Sequence, residues 1–182
     1  MLGAIVLAAG AGTRMGGVAK CLITVDGQTL LQRLLLAVRT LTPVQTVLVL
    51  GHHADAIQTA LNETPSPLPL TMVHNADPGD RPDSSLRLGL QALQPAVDTV
   101  MVLLADQPLL SASDLQRALQ AFEGRSPAQR IGWPEHGGAP GHPVLMQADL
   151  AHDWLAQDRA GLRPWALQQP QQVAPWAPGN PH

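Results

Sequence analysis

The chain contains 182 residues, of which 45% are hydrophobic, so it is long and apolar enough to bury the core of one domain. Charged residues make up 14% and the formal net charge is −3, which is not the composition of a disordered chain or of a basic surface for nucleic acid or membranes. The one cysteine, Cys21, excludes an internal disulfide framework and is typical of a reducing compartment, so we expect a cytoplasmic protein.

The chain opens with a predicted buried strand that runs into a glycine-rich loop. Residues 4–9 read AIVLAA, a continuous apolar run of the kind found in parallel strands covered on both faces. No basic segment precedes this run, and no stretch reaches the ~20 apolar residues that span a bilayer, so we interpret it as core and not as a signal peptide or a membrane anchor. The loop is formed by residues 10–20, whose glycines let the backbone turn sharply.

This loop carries the residue types that a polyphosphate needs. Consecutive N–H groups in such a loop can face one anion, and Arg14 and Lys20, the only lysine, add positive charge. The dinucleotide-binding pattern is excluded because Met15 replaces its third glycine, and the P-loop pattern is excluded because Lys20 follows Ala19 and not a glycine. The alternative interpretation is an ordinary surface turn with two solvated charges.

Strands and helices alternate from the loop to residue 122. Apolar runs predict strands at residues 44–50, 70–74 and 99–105, after a short extended piece at residues 22–25. Helices are predicted at residues 29–41, 53–61, 84–93 and 111–122, the third capped by Asp83 or Ser84 and the last by a Ser111–Asp114 capping box. This order predicts an α/β fold of three layers with a mostly parallel, doubly wound sheet.

The alternating pattern weakens beyond residue 124. Short strands are predicted near residues 130–133 and 144–146, which would give the sheet a mixed edge. The last stretch, residues 168–182, is rich in Gln and Pro and is expected to be loose or packed at the edge of the sheet. There is no internal repeat and no sign of a second domain, so residues 1–182 are predicted to form one domain.

Three further positions are candidates for ligand contact. Asp106 ends the most apolar strand, at the edge where open α/β sheets bind ligands, and a carboxylate there is either a Mg²⁺ ligand or a loop or capping residue. Asn75 begins a long loop that leads to a helix start with Ser84 and Ser85, which offers hydrogen-bond donors to a base, ribose or phosphate. His142, in the sequence Gly-His-Pro, either contacts a substrate or satisfies a backbone carbonyl.

Taken together, these segments resemble the nucleotidyltransferases that have a glycosyltransferase-A-like (nucleotide-diphospho-sugar transferase-like) fold. LAAGAGTRMG, followed by Lys20 and LITVDGQTLLQR, is similar to their opening, and within them to the molybdenum cofactor cytidylyltransferase-like (MocA/MobA-like) branch. Three further segments resemble motifs of that branch in the same order: DSSLRLGL resembles its SSSLRxGL, LLADQPLL its GDQPLL, and GAPGHPVLM its GHPVLF. A fourth segment, QDRAGLRPW, vaguely resembles its GDKGAR. The resemblance spans residues 3–165.

The resemblance implies a Mg²⁺-dependent enzyme that transfers a nucleotidyl group from a nucleoside triphosphate to a phosphorylated small molecule. The implied nucleotide-binding residues are Ala8, Ala9, Gly10, Gly12, Thr13, Arg14, Lys20, Asn75 and Ser84. Arg14, Lys20 and Asp106 would be catalytic, with Asp106 as the metal ligand, and His142 would line the acceptor side. LAAG in place of the LAGG of the guanylyltransferase branch favours CTP, with molybdopterin as the acceptor and a molybdoenzyme as a further partner.

Two departures from the family pattern leave three interpretations open. Ala19 stands where the family has an acidic residue, and a DIDTPED-like segment, the source of a second metal-side ligand, is absent from the 182 residues. Either that ligand comes from elsewhere, or the chain is truncated, or its activity is reduced. The protein is therefore a cytidylyltransferase for molybdopterin, a nucleotidyltransferase for a sugar or alditol phosphate, or a non-catalytic nucleotide-binding partner protein.

Overall fold

The computed structural model of the chain describes residues 1–12, 16–78, 82–157 and 161–177. Its strands are β1 (Leu2–Ala8), β2 (Thr24–Val25), β3 (Gln28–Thr29), β4 (Gln45–Leu50), β5 (Thr71–His74), β6 (Thr99–Leu104), β7 (Ile131–His136), β8 (Ala139–Pro140), β9 (Val144–Gln147) and β10 (Val173–Trp176). Its helices are α1 (Leu30–Arg39), α2 (Ala54–Glu63), α3 (Asp83–Gln91), α4 (Ala112–Glu123), α5 (Ala148–Leu155) and α6 (Leu162–Leu167). None of the helices in these ranges is long and apolar enough to cross a membrane.

One mixed sheet organises the described residues, in the strand order β10-β7-β9-β6-β1-β4-β5, with β8 hydrogen-bonded to β7. The strands β5, β4, β1 and β6 run parallel to one another. In contrast, β9 is antiparallel to both β6 and β7, and β10 is parallel to β7. The predicted α/β fold with a mostly parallel sheet and a mixed edge is therefore confirmed. The parallel part brings the carboxyl ends of β1, β4 and β6 to one edge of the sheet.

Helices cover both faces of the sheet because the side chains of each strand alternate between them. Along β1, the side chains of Val6 and Ala8 belong to the core that α1, α2 and α4 share with the sheet, whereas Ile5 and Leu7 belong to the core on the side of α3, α5 and α6. Burial of a Val, Leu or Ile side chain contributes about 1.5–3 kcal/mol. Two such cores hold β1 in the middle of three layers, so the loop that follows β1 begins from a rigid support.

The predicted cap of α3 is wrong. Its N-cap residue is Pro82, which makes no side-chain hydrogen bond to the helix, so neither Asp83 nor Ser84 acts as the cap. Instead, Oδ1 of Asp83 accepts a hydrogen bond of 3.2 Å from the backbone N–H of Leu162. Oγ of Ser84 donates to the carbonyl of Pro78 at 3.3 Å. The side chains of Asp83 and Ser84, which the local pattern predicted to cap the helix, thus form hydrogen bonds with other segments instead.

The predicted capping box of α4 is confirmed. Oγ of Ser111 accepts a hydrogen bond from the backbone N–H of Asp114, and Oδ2 of Asp114 accepts one of 2.9 Å from the N–H of Ser111. This exchange satisfies two N–H groups that a helix start otherwise leaves unpaired. It therefore fixes the residue at which α4 begins, after the segment that follows β6.

The carboxyl-terminal third contains helices that the sequence did not predict. Helix α5 begins directly after β9 without an intervening loop residue, and α6 has only six residues, so neither shows a long periodic pattern. Strand β10 lies in the stretch that was expected to be loose or edge-packed, and it extends the sheet by pairing with β7. Residues 178–182 of that stretch lie outside the described residues.

Candidate functional site

A cleft of about 470 Å³, called the first cleft below, opens at the carboxyl edge of the sheet. The ends of β1 and β6 contribute Ala8, Ala9 and Ala105, which are all buried. The glycine-rich loop contributes Gly10, Gly12 and Lys20. The volume of the first cleft is within the range of ligand pockets, ~300–1,000 Å³, so the cleft has room for a small molecule.

The glycine-rich loop closes on itself at Gly12. This residue has φ +64°, a conformation that side chains disfavour, and a Cβ added there would lie 2.1 Å from the carbonyl oxygen of Val18. The carbonyl of Gly12 also accepts a hydrogen bond of 3.1 Å from the N–H of Gly17. Only glycine fits this position, so the loop depends on Gly12 for its closed form.

The turn after β4, residues 51–53, also holds the glycine-rich loop in place. Nε2 of His53 lies 3.0 Å from the carbonyl oxygen of Ala11, which can only accept, so Nε2 carries the proton. The N–H of His52 donates to the carbonyl of Ala9, and a Cβ on Gly51 would lie 2.6 Å from that same oxygen. The absence of a side chain at Gly51 therefore lets the ends of β1 and β4 approach closely beneath the loop.

Opposite charges meet in the first cleft. Nζ of Lys20, at the start of a 3-10 turn (Lys20–Leu22), lies 3.9 Å from Oδ2 of Asp106, which follows β6. The two side chains are 32% and 42% exposed, so water and ligands reach both of them. An exposed pair of this kind contributes about 0–1 kcal/mol to stability. The pair is therefore available to exchange its mutual contact for contacts with a ligand.

The start of α3 borders the first cleft through Ser85. Nδ2 of the buried Asn75 donates to Oγ of Ser84 at 3.0 Å and to Oγ of Ser85 at 2.9 Å, and its Oδ1 accepts from the N–H of Asp77 at 3.2 Å. Ser85 lines the cleft, whereas Asn75 and Ser84 are not among the residues that line it. Asn75 thus ties the loop after β5 to the helix start and fixes Ser85 beside the cleft.

Cys21 lines the first cleft but is only 5% exposed. Burial, followed by the negative charge of Asp106, raises the pKa of the Cys21 thiol to about 11. The thiol is therefore neutral at physiological pH and serves as a small packing group under the loop.

A second cleft of about 680 Å³ adjoins the first, and Asp106 lines both. Helix α4 contributes Asp114 and Arg117, which form an ion pair of 2.5 Å, and β10 contributes Trp176. His142 also lines the second cleft. One carboxylate therefore faces two compartments, each large enough for a small molecule.

His142 is held by Arg163. Nη2 of Arg163 lies 3.2 Å from Nδ1 of His142, and it also donates to the carbonyl oxygen of Gly141 at 2.7 Å. Burial, followed by the positive charge of Arg163, lowers the pKa of His142 to about 4. The imidazole is therefore neutral at pH 7. The peptide bond between His142 and Pro143 is cis.

The structure distributes the predicted site residues as follows. Ala8, Ala9, Gly10, Gly12, Lys20 and Asp106 line the first cleft, and Asp106 and His142 line the second. Thr13 and Arg14 lie outside the described residues. The sequence interpretation missed His53, Arg163 and Trp176. Arg163 belongs to QDRAGLRPW, the weakest of the family-like segments, and Trp176 belongs to the Gln- and Pro-rich stretch, so neither carried a strong local signal.

Comparison with known proteins gives a consistent family assignment for this architecture. Residues 4–173 match the profile of the MobA-like NTP transferase domain. A nucleotidyl transferase from Methanothermobacter superposes with a TM-score of 0.79 at 25% identity, over 100% of this chain and 88% of that one. Rv0371c from Mycobacterium tuberculosis, solved as a complex with manganese, has a TM-score of 0.71 at 24% identity, over 97% of this chain and 87% of that one.

A curated relative covers less of the chain. The bifunctional protein GlmU of Mycobacterium marinum is 36% identical over 132 residues, which are 70% of this chain and 26% of that protein. The chain thus spans about a quarter of the length of the curated relatives it matches.

Proposed function

Because the chain belongs to the family of the MobA-like NTP transferase domain, we propose that it is a nucleotidyltransferase that transfers CMP from CTP to molybdopterin. One observation carries this proposal: Asp106 lines two adjoining clefts, and Lys20 lies 3.9 Å from it. A transferase must bring two anionic substrates together at one point. A carboxylate shared by two clefts, next to a cation, is suited to that task.

The first cleft is the proposed nucleotide site. It is lined by the glycine-rich loop, where no side chain at Gly10 obstructs a ligand and where Gly12 keeps the loop closed, and it contains Lys20. These are the features that bind polyphosphate. Thr13 and Arg14 are proposed to add to this site on the strength of the family resemblance. The second cleft, with His142, is then left for the phosphorylated acceptor.

The proposed reaction is a substitution at phosphorus. An oxygen of the acceptor phosphate attacks the α-phosphorus of CTP, the bond from that phosphorus to the bridging oxygen breaks, and pyrophosphate leaves with the electron pair. A phosphate oxygen at neutral pH needs no strong general base. Lys20 and the loop amides stabilise the charge that develops on the triphosphate, and the two clefts align the reacting groups.

Asp106 is the residue proposed to hold a divalent metal ion. In the described part of the chain, no group of three or more His, Cys, Asp or Glu side chains is placed to hold a metal. The donor set fits Mg²⁺ nevertheless, because Mg²⁺ is usually bound by one or two carboxylates together with substrate phosphates. When bound with the nucleotide, the ion would neutralise charge on the phosphates.

The preference for CTP is proposed from Ala9. Ala9 lines the first cleft, 6% exposed, at the position where the guanylyltransferase branch has glycine in LAGG. We propose that a methyl group at this position leaves less room for the base than glycine would, and a pyrimidine needs less room than a purine. Asn75, which donates hydrogen bonds to Ser84 and to the cleft residue Ser85, and Ser84 itself are proposed to support binding of the base and ribose.

Pyrophosphate release tests this function directly. The protein is incubated with Mg²⁺ and each of CTP, GTP, UTP and ATP, with and without molybdopterin, and Asp106→Asn is measured beside it. We expect release that requires both CTP and molybdopterin, and a loss of at least about 10-fold in the variant.

Other outcomes point to the competing functions. Release with CTP and a sugar or alditol phosphate, but not with molybdopterin, would keep the enzyme class and replace the acceptor. Binding of CTP without release under any condition would contradict catalysis and would favour a nucleotide-binding partner that serves a molybdoenzyme.

A further inference from the structure

We propose that Arg163 is a positioning residue that fixes His142 in one tautomer, with its proton on Nε2, so that this N–H is the hydrogen-bond donor offered to the acceptor phosphate. The family resemblance implied that His142 lines the acceptor side, but the sequence did not point to Arg163. The role of the donor rests on the proposed function, whereas the tautomer follows from the geometry alone.

The tautomer follows from what each group can do. A guanidinium has only N–H donors, and its Nη2 carries two hydrogens. Nη2 of Arg163 donates to the carbonyl of Gly141 at 2.7 Å and lies 3.2 Å from Nδ1 of His142. Since Arg163 cannot accept, Nδ1 has to be the acceptor, and the proton of the neutral ring is on Nε2.

The charge state agrees with this arrangement. A protonated imidazole would turn an N–H at Nδ1 toward the N–H groups of Arg163 and place two positive charges together. Burial and Arg163 both oppose that state, and they lower the pKa of His142 to about 4. His142, which lines the second cleft, is therefore neutral, and the only ring donor that it can offer to a ligand there is the N–H at Nε2.

Arg163 is itself firmly placed. It lies in the first turn of α6, between the buried Leu162 and the buried Trp165. The N–H of Leu162 donates to Oδ1 of Asp83 at 3.2 Å, and Nε1 of Trp165 donates to Oε1 of Gln157 at 3.1 Å. These anchors restrict the movement of the guanidinium, which in turn holds the Gly141–His142 segment from one side.

Nuclear magnetic resonance of the intact protein labelled with ¹⁵N-histidine tests the tautomer without any ligand. The His142 signals are assigned by their absence in His142→Gln. We expect a protonated Nε2 and an unprotonated Nδ1 at pH 7, and a mixture of the two tautomers in Arg163→Met. Arg33→Met, the same change in an exposed arginine that pairs with Asp26, is the matched control and should leave the His142 signals unchanged.

A charged ring or a proton on Nδ1 in the wild-type protein would overturn the inference, and so would an unchanged tautomer in Arg163→Met. These results do not depend on any turnover. If molybdopterin and CTP give no product, the proposed function fails, while the spectra still decide the inference about Arg163.

Kinetics with CTP and molybdopterin test the role of the donor. The side-chain amide of Gln reaches the position of Nε2, whereas that of Asn reaches only the position of Nδ1. We expect His142→Asn to raise the KM for molybdopterin by about 10-fold, the scale of one lost hydrogen bond, and His142→Gln to raise it much less.

Arg163→Met should also raise the KM for molybdopterin, with the KM for CTP unchanged, and should add little in the His142→Asn background. Equal KM values for the Asn and Gln variants, or additive effects in the double variant, would overturn the positioning role. A merely structural role of Arg163 would lower thermal stability without this pattern.

Discussion

Nζ of Lys20 and Oδ2 of Asp106 lie 3.9 Å apart, so the cation at the end of the glycine-rich loop faces the carboxylate at the end of β6. The residues are 86 positions apart in the chain, and parallel pairing of β1 with β6 brings them together. Because both side chains are partly exposed, their attraction is screened by water and is worth no more than about 1 kcal/mol. The pair therefore adds little to folding, and we propose that both side chains act in ligand binding.

Replacement of Lys20 tests that conclusion. Lys20→Ala should lower the rate of pyrophosphate release by at least about 10-fold, because it removes a charge that is proposed to lie beside the triphosphate. The melting temperature should stay nearly unchanged, since the lost ion pair is exposed. Arg33→Ala, which removes a comparable exposed ion pair with Asp26 outside both clefts, should retain full turnover. Near-normal turnover in Lys20→Ala would refute the assignment of the first cleft.

Replacement of Ala9 tests the nucleotide preference. Ala9→Gly removes the methyl group proposed to limit the room for the base and should raise the kcat/KM for GTP relative to CTP by about 10-fold, the scale of one small group in a specificity pocket. Ala11→Gly adds the same flexibility to the loop at a residue that does not line the cleft. An equal shift in both variants would mean that flexibility, and not space, sets the preference.

The pKa of His142 makes stability depend on pH. Its pKa is about 4 in the folded protein against an ordinary value of 6.5, so between these values the unfolded chain binds one proton more than the folded one. The free energy of unfolding is therefore unaffected above pH 6.5 and falls as the pH drops toward 4, by up to about 3 kcal/mol. Denaturant unfolding at a series of pH values measures this loss.

His142→Gln isolates the contribution of this one ring. The variant should lose less stability than the wild type between pH 6.5 and 4, because Gln does not titrate. The charged and titratable groups that share the second cleft with His142 are Asp106, Asp114, Arg117 and His136, and they are unchanged in the comparison. Identical pH profiles would show that Arg163 and burial do not hold the ring in its neutral form.

The thiol of Cys21 should resist alkylation. With a pKa of about 11, only roughly one molecule in 10³ carries a thiolate at pH 8, and the side chain is buried as well. Intact-protein mass spectrometry after treatment with iodoacetamide should show little modification in the native protein and full modification in guanidinium chloride. The native rate should rise steadily up to about pH 11, and nucleotide should slow it, because Cys21 lines the first cleft.

The parts of the fold that could be predicted are those encoded over a short stretch. The apolar runs of β1, β4 and β6 and the Ser111–Asp114 box are local patterns, and each forms where it was predicted. The order of these elements was enough to place Lys20 and Asp106 at one edge of the sheet.

The parts that could not be predicted depend on contacts between distant segments. Arg163 contacts His142, which is 21 residues away in the sequence, and Asp83 accepts a hydrogen bond from Leu162, which is 79 residues away. The capping role of Asp83 failed for that reason, since a distant N–H took the carboxylate that the local pattern assigned to α3. Short helices such as α6 are stabilised by burial of Leu162 and Trp165 and have too few turns to show a period.

The position of Asp106 also divides the chain. Among the described residues, those that line the first cleft lie between positions 7 and 106, and those that line the second lie between positions 106 and 177. Under the proposed function, the residues that bind the nucleotide donor therefore precede those that bind the acceptor in the sequence. A hybrid of two relatives joined just after this aspartate would inherit its nucleotide choice from one parent and its acceptor choice from the other, provided that β6 and β9 still pair in register.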